Sequence, residues 1–223
     1  MVSAQYYSSN YAANEVFFGV GGTGFGNESS THYQAMVTVG DTGVGDSSST
    51  NYQAEGGFNT SSDPFLEFVV NPASIDLGVL TTATAGTASD TFLVKDYLST
   101  GYVVWSTASP PSDGFHTMTA LSGPSLSIPG TEQFGINLTA NTSPVAFGAV
   151  PVQQPDSSFG YGQVAAGYST PNYFKYVQGQ TIAFSNFSSG ETDYTMSFLY
   201  NISSYTPTGL YTFNDMLIAT ATY

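Results

Sequence analysis

The sequence predicts an all-β protein, a β-sandwich over residues 63–223 that carries an N-terminal β-ribbon arm over residues 1–62. Three observations predict it. Apolar and polar residues alternate in run after run, and no window of about a dozen residues keeps helical spacing without a Gly, Pro or β-branched cluster. Turn clusters punctuate these runs at the intervals expected of a sandwich. The first part of the chain, by contrast, is glycine-rich, poor in large aliphatics and internally repeated.

The arm comes first. Ser29-Ser30-Thr31-His32-Tyr33-Gln34-Ala35 returns as Ser48-Ser49-Thr50-Asn51-Tyr52-Gln53-Ala54, and Ser8-Ser9-Asn10-Tyr11-Ala12 is an imperfect third copy. Too few copies exist for a solenoid, so each unit reads as a short strand and turn, together a hairpin or meander. The clearest alternation here is Tyr33, Ala35, Val37 and Val39. A second apolar stretch, Glu15-Val16-Phe17-Phe18-Gly19-Val20, puts Val16, Phe18 and Val20 on one face of an extended strand.

The sandwich strands follow. Leu66–Val70, Thr91–Val94 and Tyr102–Trp105 are continuous apolar runs that read as strands buried on both faces, with Trp105 in the core. Ile75, Leu77 and Val79, then Phe134, Ile136 and Leu138, then Tyr194 to Ile202, then Leu217 to Tyr223 alternate and read as half-buried strands. Residues 147–172, rich in Pro, Gly, Gln and Ser, read as a long irregular excursion.

Composition narrows the function. Charged residues make up 8% of the chain and the formal net charge is −14, with Lys95 and Lys175 the only Lys or Arg. A phosphate backbone is bound by clustered cations, so nucleic acid is excluded as a partner, and anionic membrane surfaces are disfavoured for the same reason. No apolar run reaches the roughly 20 residues of a membrane-spanning helix, so no membrane insertion is expected. There is no Cys, which leaves the redox compartment open. Val2-Ser3-Ala4 has the small-x-small form of a leader-cleavage site, and an ordinary start at Met1 explains it equally.

Candidate sites are few. With only His32 and His116 as imidazole bases and no Gly-x-Ser-x-Gly elbow, no catalytic residue is assigned. Glu67, Asp76, Asp90, Asp96, Glu132, Glu191, Asp193 and Asp215 could supply a hydrolytic carboxylate pair, but they read as solvated groups at strand ends. No cofactor is expected; Asp41 and Asp46, on a glycine-rich loop, are the one candidate cation site, for calcium. Tyr161, Tyr168, Tyr173 and Phe174 form a candidate glycan or subunit contact. Lys95 reads as exposed and paired with a neighbouring Asp. Asn27, Asn59, Asn137, Asn141, Asn186 and Asn201 begin Asn-x-Ser/Thr sequons, expected in surface loops and open to glycosylation.

The run from Val39 to Phe58, with its Ser-Ser-Thr-Asn-Tyr-Gln core, resembles a leader segment of secreted surface proteins of candidate-phyla bacteria that precedes an Ig-like sandwich. Pro207-Thr208-Gly209-Leu210-Tyr211-Thr212 resembles the last hairpin of bacterial Ig-like domains. The resemblance implies an Ig-like or jelly-roll sandwich in a secreted, cell-surface, structural or adhesive protein. It further implies self-assembly into a homopolymer by N-terminal strand donation, as in usher-type pilins and TasA-like fibres. Val16, Phe18 and Val20 then become the donor face, with a monomeric adhesin that binds surface glycans as the alternative. The same segment could instead complete the sheet of its own chain.

Overall fold

The computed structural model describes residues 65–71 and 74–223 in full and, before them, the backbone of six short strands. The chain divides into two units, residues 1–63 and 64–223.

In the first unit the strands pair as three antiparallel ribbons: β1 (Tyr6–Tyr7) with β2 (Ala12–Ala13), β3 (Glu28–Ser29) with β4 (Gln34–Ala35), and β5 (Gly45–Ser48) with β6 (Gln53–Gly56). Their innermost pairs are Tyr7 with Ala12, Ser29 with Gln34 and Ser48 with Gln53. The residues between are Ser8-Ser9-Asn10-Tyr11, Ser30-Thr31-His32-Tyr33 and Ser49-Thr50-Asn51-Tyr52. Each copy of the repeat, the imperfect one included, therefore supplies the same four-residue connection of an antiparallel pair.

The second unit is a β-sandwich of two antiparallel sheets. Its strands are β7 (Phe65–Asn71), β8 (Gly86–Tyr97), β9 (Gly101–Ser106), β10 (Gln133–Asn137), β11 (Val152–Gln153), β12 (Gln163–Val164), β13 (Gln180–Ser185), β14 (Ser189–Asn201) and β15 (Leu217–Thr222). One sheet runs β10-β14-β8-β7, with β11 also beside β14; the other runs β12-β13-β9-β15. Two of the chain's crossings between the sheets are tight corners, β8 to β9 and β13 to β14. The four strands involved are also partners within the sheets, β8 with β14 and β9 with β13. At the first corner Leu98 takes a left-handed φ of 59° and Gly101 a φ of 138°, where a Cβ would run into the carbonyl of Ser185 on the second corner. The corners are tied by Ser188, whose Oγ donates to the Asp96 carbonyl at 3.0 Å.

Strand parity builds the core. Phe92 and Val94 of β8, Tyr102 and Val104 of β9, Phe134 and Ile136 of β10, Ile182 of β13, and Tyr194, Met196 and Phe198 of β14 all face inward. Phe92 stacks on Tyr194 with ring centroids 4.9 Å apart, and Phe134 meets Tyr176 edge-on at 4.9 Å. Full burial of one such ring stabilises by about 1.5–3 kcal/mol.

Four expectations fail. β7 is an edge strand rather than a strand buried on both faces: one long side has no partner strand among the described residues, and only Leu66 and Phe68 pack against the core while Val69 and Val70 are exposed. Residues 75–79 form no strand: Leu77 and Leu80 turn in over Gly86 while Val79 is exposed, so the alternation there reflects two anchor points in an irregular connection. Trp105 lies on the outer face of β9 between Thr181 and Ile218, since its parity is opposite to that of Tyr102 and Val104. The strand β13 was not anticipated at all; Gln180 and Thr181 at its start hide it.

Candidate functional site

The two long sides of the sandwich differ. On one, β10 is covered: Ile136 exchanges both backbone hydrogen bonds with Lys175 at 3.0 Å, Phe134 does the same with Thr119 and Leu121, and Leu138 N donates to the Tyr168 carbonyl. The neighbouring edge of the other sheet, β12, is only two residues long. On the opposite side β7 and β15 lie next to each other, and among the described residues neither has a second partner strand. Their sequences are Phe-Leu-Glu-Phe-Val-Val-Asn and Leu-Ile-Ala-Thr-Ala-Thr. Natural edges are commonly blunted by Lys, Pro, bulges or inward charges. Here β15 is uncharged, and the single charge of β7, Glu67, points outward to Lys95 at 3.5 Å.

Val16, Phe18 and Val20 lie outside the described residues, as do Asp41, His32, Asn27 and Asn59. Asp46 sits on β5 opposite Glu55. No group of three His, Asp or Glu side chains is placed to hold a metal ion among the described residues.

The aromatic group separates. Tyr168 and Phe174 are fully buried, Tyr168 with its hydroxyl donating to Gln180 at 2.9 Å and Phe174 stacked on Phe147, so neither can form a surface platform. Tyr161 and Tyr173 stay about two-fifths exposed (39% and 38%), and Tyr161 meets Phe187 edge-on instead of any member of the predicted group. The Gly/Ser/Pro-rich context had suggested exposure, but this segment is what covers β10.

Three sequons are likewise corrected. Asn137 and Asn141 are buried and exchange reciprocal amide hydrogen bonds of 2.7 and 2.9 Å, and Asn201 is buried with its amide against Ser127 and Gln133. A glycan has no room on any of them. Asn186, at the corner before β14, is exposed. Lys95 is mostly buried rather than exposed, and its partner is Glu67 across the β7–β8 register, not an adjacent Asp.

Among the described residues, three groupings of titratable side chains stand out. His116 Nε2 lies 2.9 Å from Glu132 Oε2, and Thr206 Oγ1, Thr119 Oγ1 and Thr119 N also donate to that carboxylate. Burial works to raise the pKa of Glu132, but these hydrogen bonds overcome it and hold it at about 2. Glu191 and Asp193 alternate on the outer face of β14; burial, with Asp193 and Glu67 nearby, pushes Glu191 up while Lys95 opposes. Asp215, half-buried two residues before β15, has its pKa raised to about 6, mainly by burial, with the Asp90 charge adding to it.

Asp96 and Asp215 thus correct the reading of the carboxylates as solvated. Asp96 is fully buried, bonded to Ser99 Oγ, with its Oδ1 unpaired. The available signal was parity: Asp96 is in phase with Phe92 and Val94, and Asp215 with Leu217 and Ala219. Comparison with protein-family models, with curated proteins and with solved structures returns no match to this chain.

Proposed function

We propose that the protein is a structural subunit of an extracellular or cell-surface filament, which self-assembles when the N-terminal segment of one copy adds as a strand to the sandwich edge of another. The observation that carries this reading is the asymmetry of the sandwich: one side is sealed by the 168–175 segment, and the other presents two adjacent, regular, nearly uncharged strands, β7 and β15. Such an edge offers a row of free N–H and C=O groups, and an extended segment gains affinity there through main-chain hydrogen bonds. The stretch Glu15–Val20, apolar on alternate positions, has the chemistry of an added strand. The low charge of the chain fits a subunit whose contacts are made through backbone rather than side-chain chemistry.

The test is electron microscopy with size-exclusion chromatography on the intact chain, a chain lacking residues 1–26 and the variant Phe18→Asp. Filaments from the intact chain that are lost in both altered chains support the reading. Monomers of equal stability from all three overturn it.

A further inference from the structure

Asp215 ends a chain of hydroxyl groups that is one proton short. Tyr176 Oη donates to the carbonyl of Ala108 at 2.5 Å, which leaves its oxygen as an acceptor. Ser106 Oγ lies 3.2 Å from Tyr176 Oη and 3.3 Å from Asp215 Oδ1. A serine hydroxyl has a single proton to give. With Asp215 ionised, Ser106 serves either the carboxylate, which keeps the Met216 N–H in both cases, or Tyr176, and the one not served loses its Ser106 hydrogen bond. With Asp215 protonated, each group donates to the next, from Asp215 to Ser106 to Tyr176 to Ala108, and every link is made.

The groups around Asp215 favour the proton. Burial dominates, Asp90 on β8 adds repulsion, and only Ser106 and the Met216 N–H favour the ionised form. Tyr200 on β14 and Tyr176, the other titratable neighbours, are themselves pushed up by burial and by the Asp215 charge, so both stay neutral. The two lysines are engaged elsewhere, Lys95 with Glu67 and Lys175 over the ring of Tyr168.

The chain of hydroxyls sits where β15 begins. Leu217, the first residue of β15, is the register partner of Ser106 itself, and Met216 O accepts from Thr107 N at 2.8 Å and Thr107 Oγ1 at 3.1 Å. A frustrated Ser106 therefore acts at the point where the open edge strand is fastened.

We propose that Asp215, Ser106 and Tyr176 form a proton-gated latch that fastens β15 to β9 when Asp215 is protonated and slackens it when the carboxyl ionises. The latch belongs to a single chain and operates whether or not the edge receives a partner, so its failure and that of the filament reading are separate results.

Hydrogen exchange followed by mass spectrometry on the intact chain tests it, at pH 7.5 and pH 5 after correction for intrinsic exchange. Protection of β15 peptides is expected to rise about tenfold on acidification, the linkage effect of a carboxyl moved from 3.8 to about 6. In Asp215→Asn, whose amide donates at every pH, β15 is expected to be equally protected at both. A pH response in Asp215→Asn equal to that of the native chain, or a gain spread evenly over β8 and β14, overturns the proposal. Should that variant not fold, NMR titration of the Asp215 carboxyl in the native chain decides: a midpoint near 6 supports the latch and one near 3.8 overturns it.

Discussion

Tyr102 of β9 and Tyr194 of β14, on opposite sheets, join hydroxyls at 2.8 Å in the centre of the sandwich. Burial pushes the Tyr102 hydroxyl up to about 12 and Tyr194 higher still, so both remain protonated and the pair is a neutral bridge between the layers. Gly162 packs against both hydroxyls and donates its N–H to Thr192 Oγ1 at 3.2 Å.

Removing one hydroxyl takes away the other's 2.8 Å partner and leaves it the weaker one, the Gln163 carbonyl at 3.5 Å for Tyr194 and Thr192 for Tyr102. Tyr194→Phe and Tyr102→Phe are each expected to cost about 1–3 kcal/mol, and the double variant less than their sum, because the 2.8 Å bond they share is lost only once. Gly162→Ala forces a methyl group into the pair and is expected to cost about 1–3 kcal/mol. Urea denaturation of the four variants checks this.

Stability is expected to peak on the acid side of neutrality. Asp215 has a raised pKa, so its contribution is absent above about 6 and grows as pH falls toward the unfolded value of 3.8. Glu132 has a lowered pKa, so its contribution is present above 4.5 and is lost as pH falls toward about 2. Thermal melts from pH 3 to 8 should pass through a maximum at about pH 4–5. Glu132→Gln should flatten the acid limb and leave the limb toward neutrality in place.

A charge placed on the open edge should block assembly without unfolding the subunit. Thr220→Lys on β15 and Val69→Lys on β7 are expected to leave melting within about 0.5 kcal/mol of the native chain, since both positions are solvent-facing, yet to abolish filaments. Filaments that persist in both variants place the contact elsewhere.

The described sequons should part company. Asn137→Ala breaks a reciprocal buried amide pair and is expected to cost about 1–3 kcal/mol, whereas Asn186→Ala stays within about 0.5 kcal/mol. After secretion from a glycosylating host, peptide mapping should find a glycan on Asn186 and none on Asn137, Asn141 or Asn201.

Much of the fold could be read from period-two alternation. Tyr194 to Ile202 and Phe134 to Leu138 are strands because their inward positions are consistently large and apolar. The failures have one physical source, namely that a half-buried strand and an irregular segment with two apolar anchors share the same pattern. Ile75 to Val79 alternates without a neighbour to pair with, and Gln180–Ser185 pairs on both sides without alternating cleanly. The site was less legible still. Parity placed Asp96 and Asp215 inside, but carboxylates carry so strong a prior for exposure that the phase of the strand was overruled. Gly, Ser and Pro marked residues 147–172 as an irregular excursion, whereas the buried Tyr168, Phe174 and Tyr176 make 168–176 a cover over β10.

The strand order also fixes how the chain must reach this structure. β8 waits for β14, β9 for both β13 and β15, and β10 for β14, so few core pairings join neighbours in sequence. Loop-closure entropy opposes such distant pairings, and assembly of this core belongs to the slow, millisecond-to-second class. The ribbons of the first unit close over four residues each and face no such delay. During synthesis they can form at once, while β9 holds an unpaired flank until residues 217–222 arrive, leaving the unfinished second sheet the stage most vulnerable to misassociation.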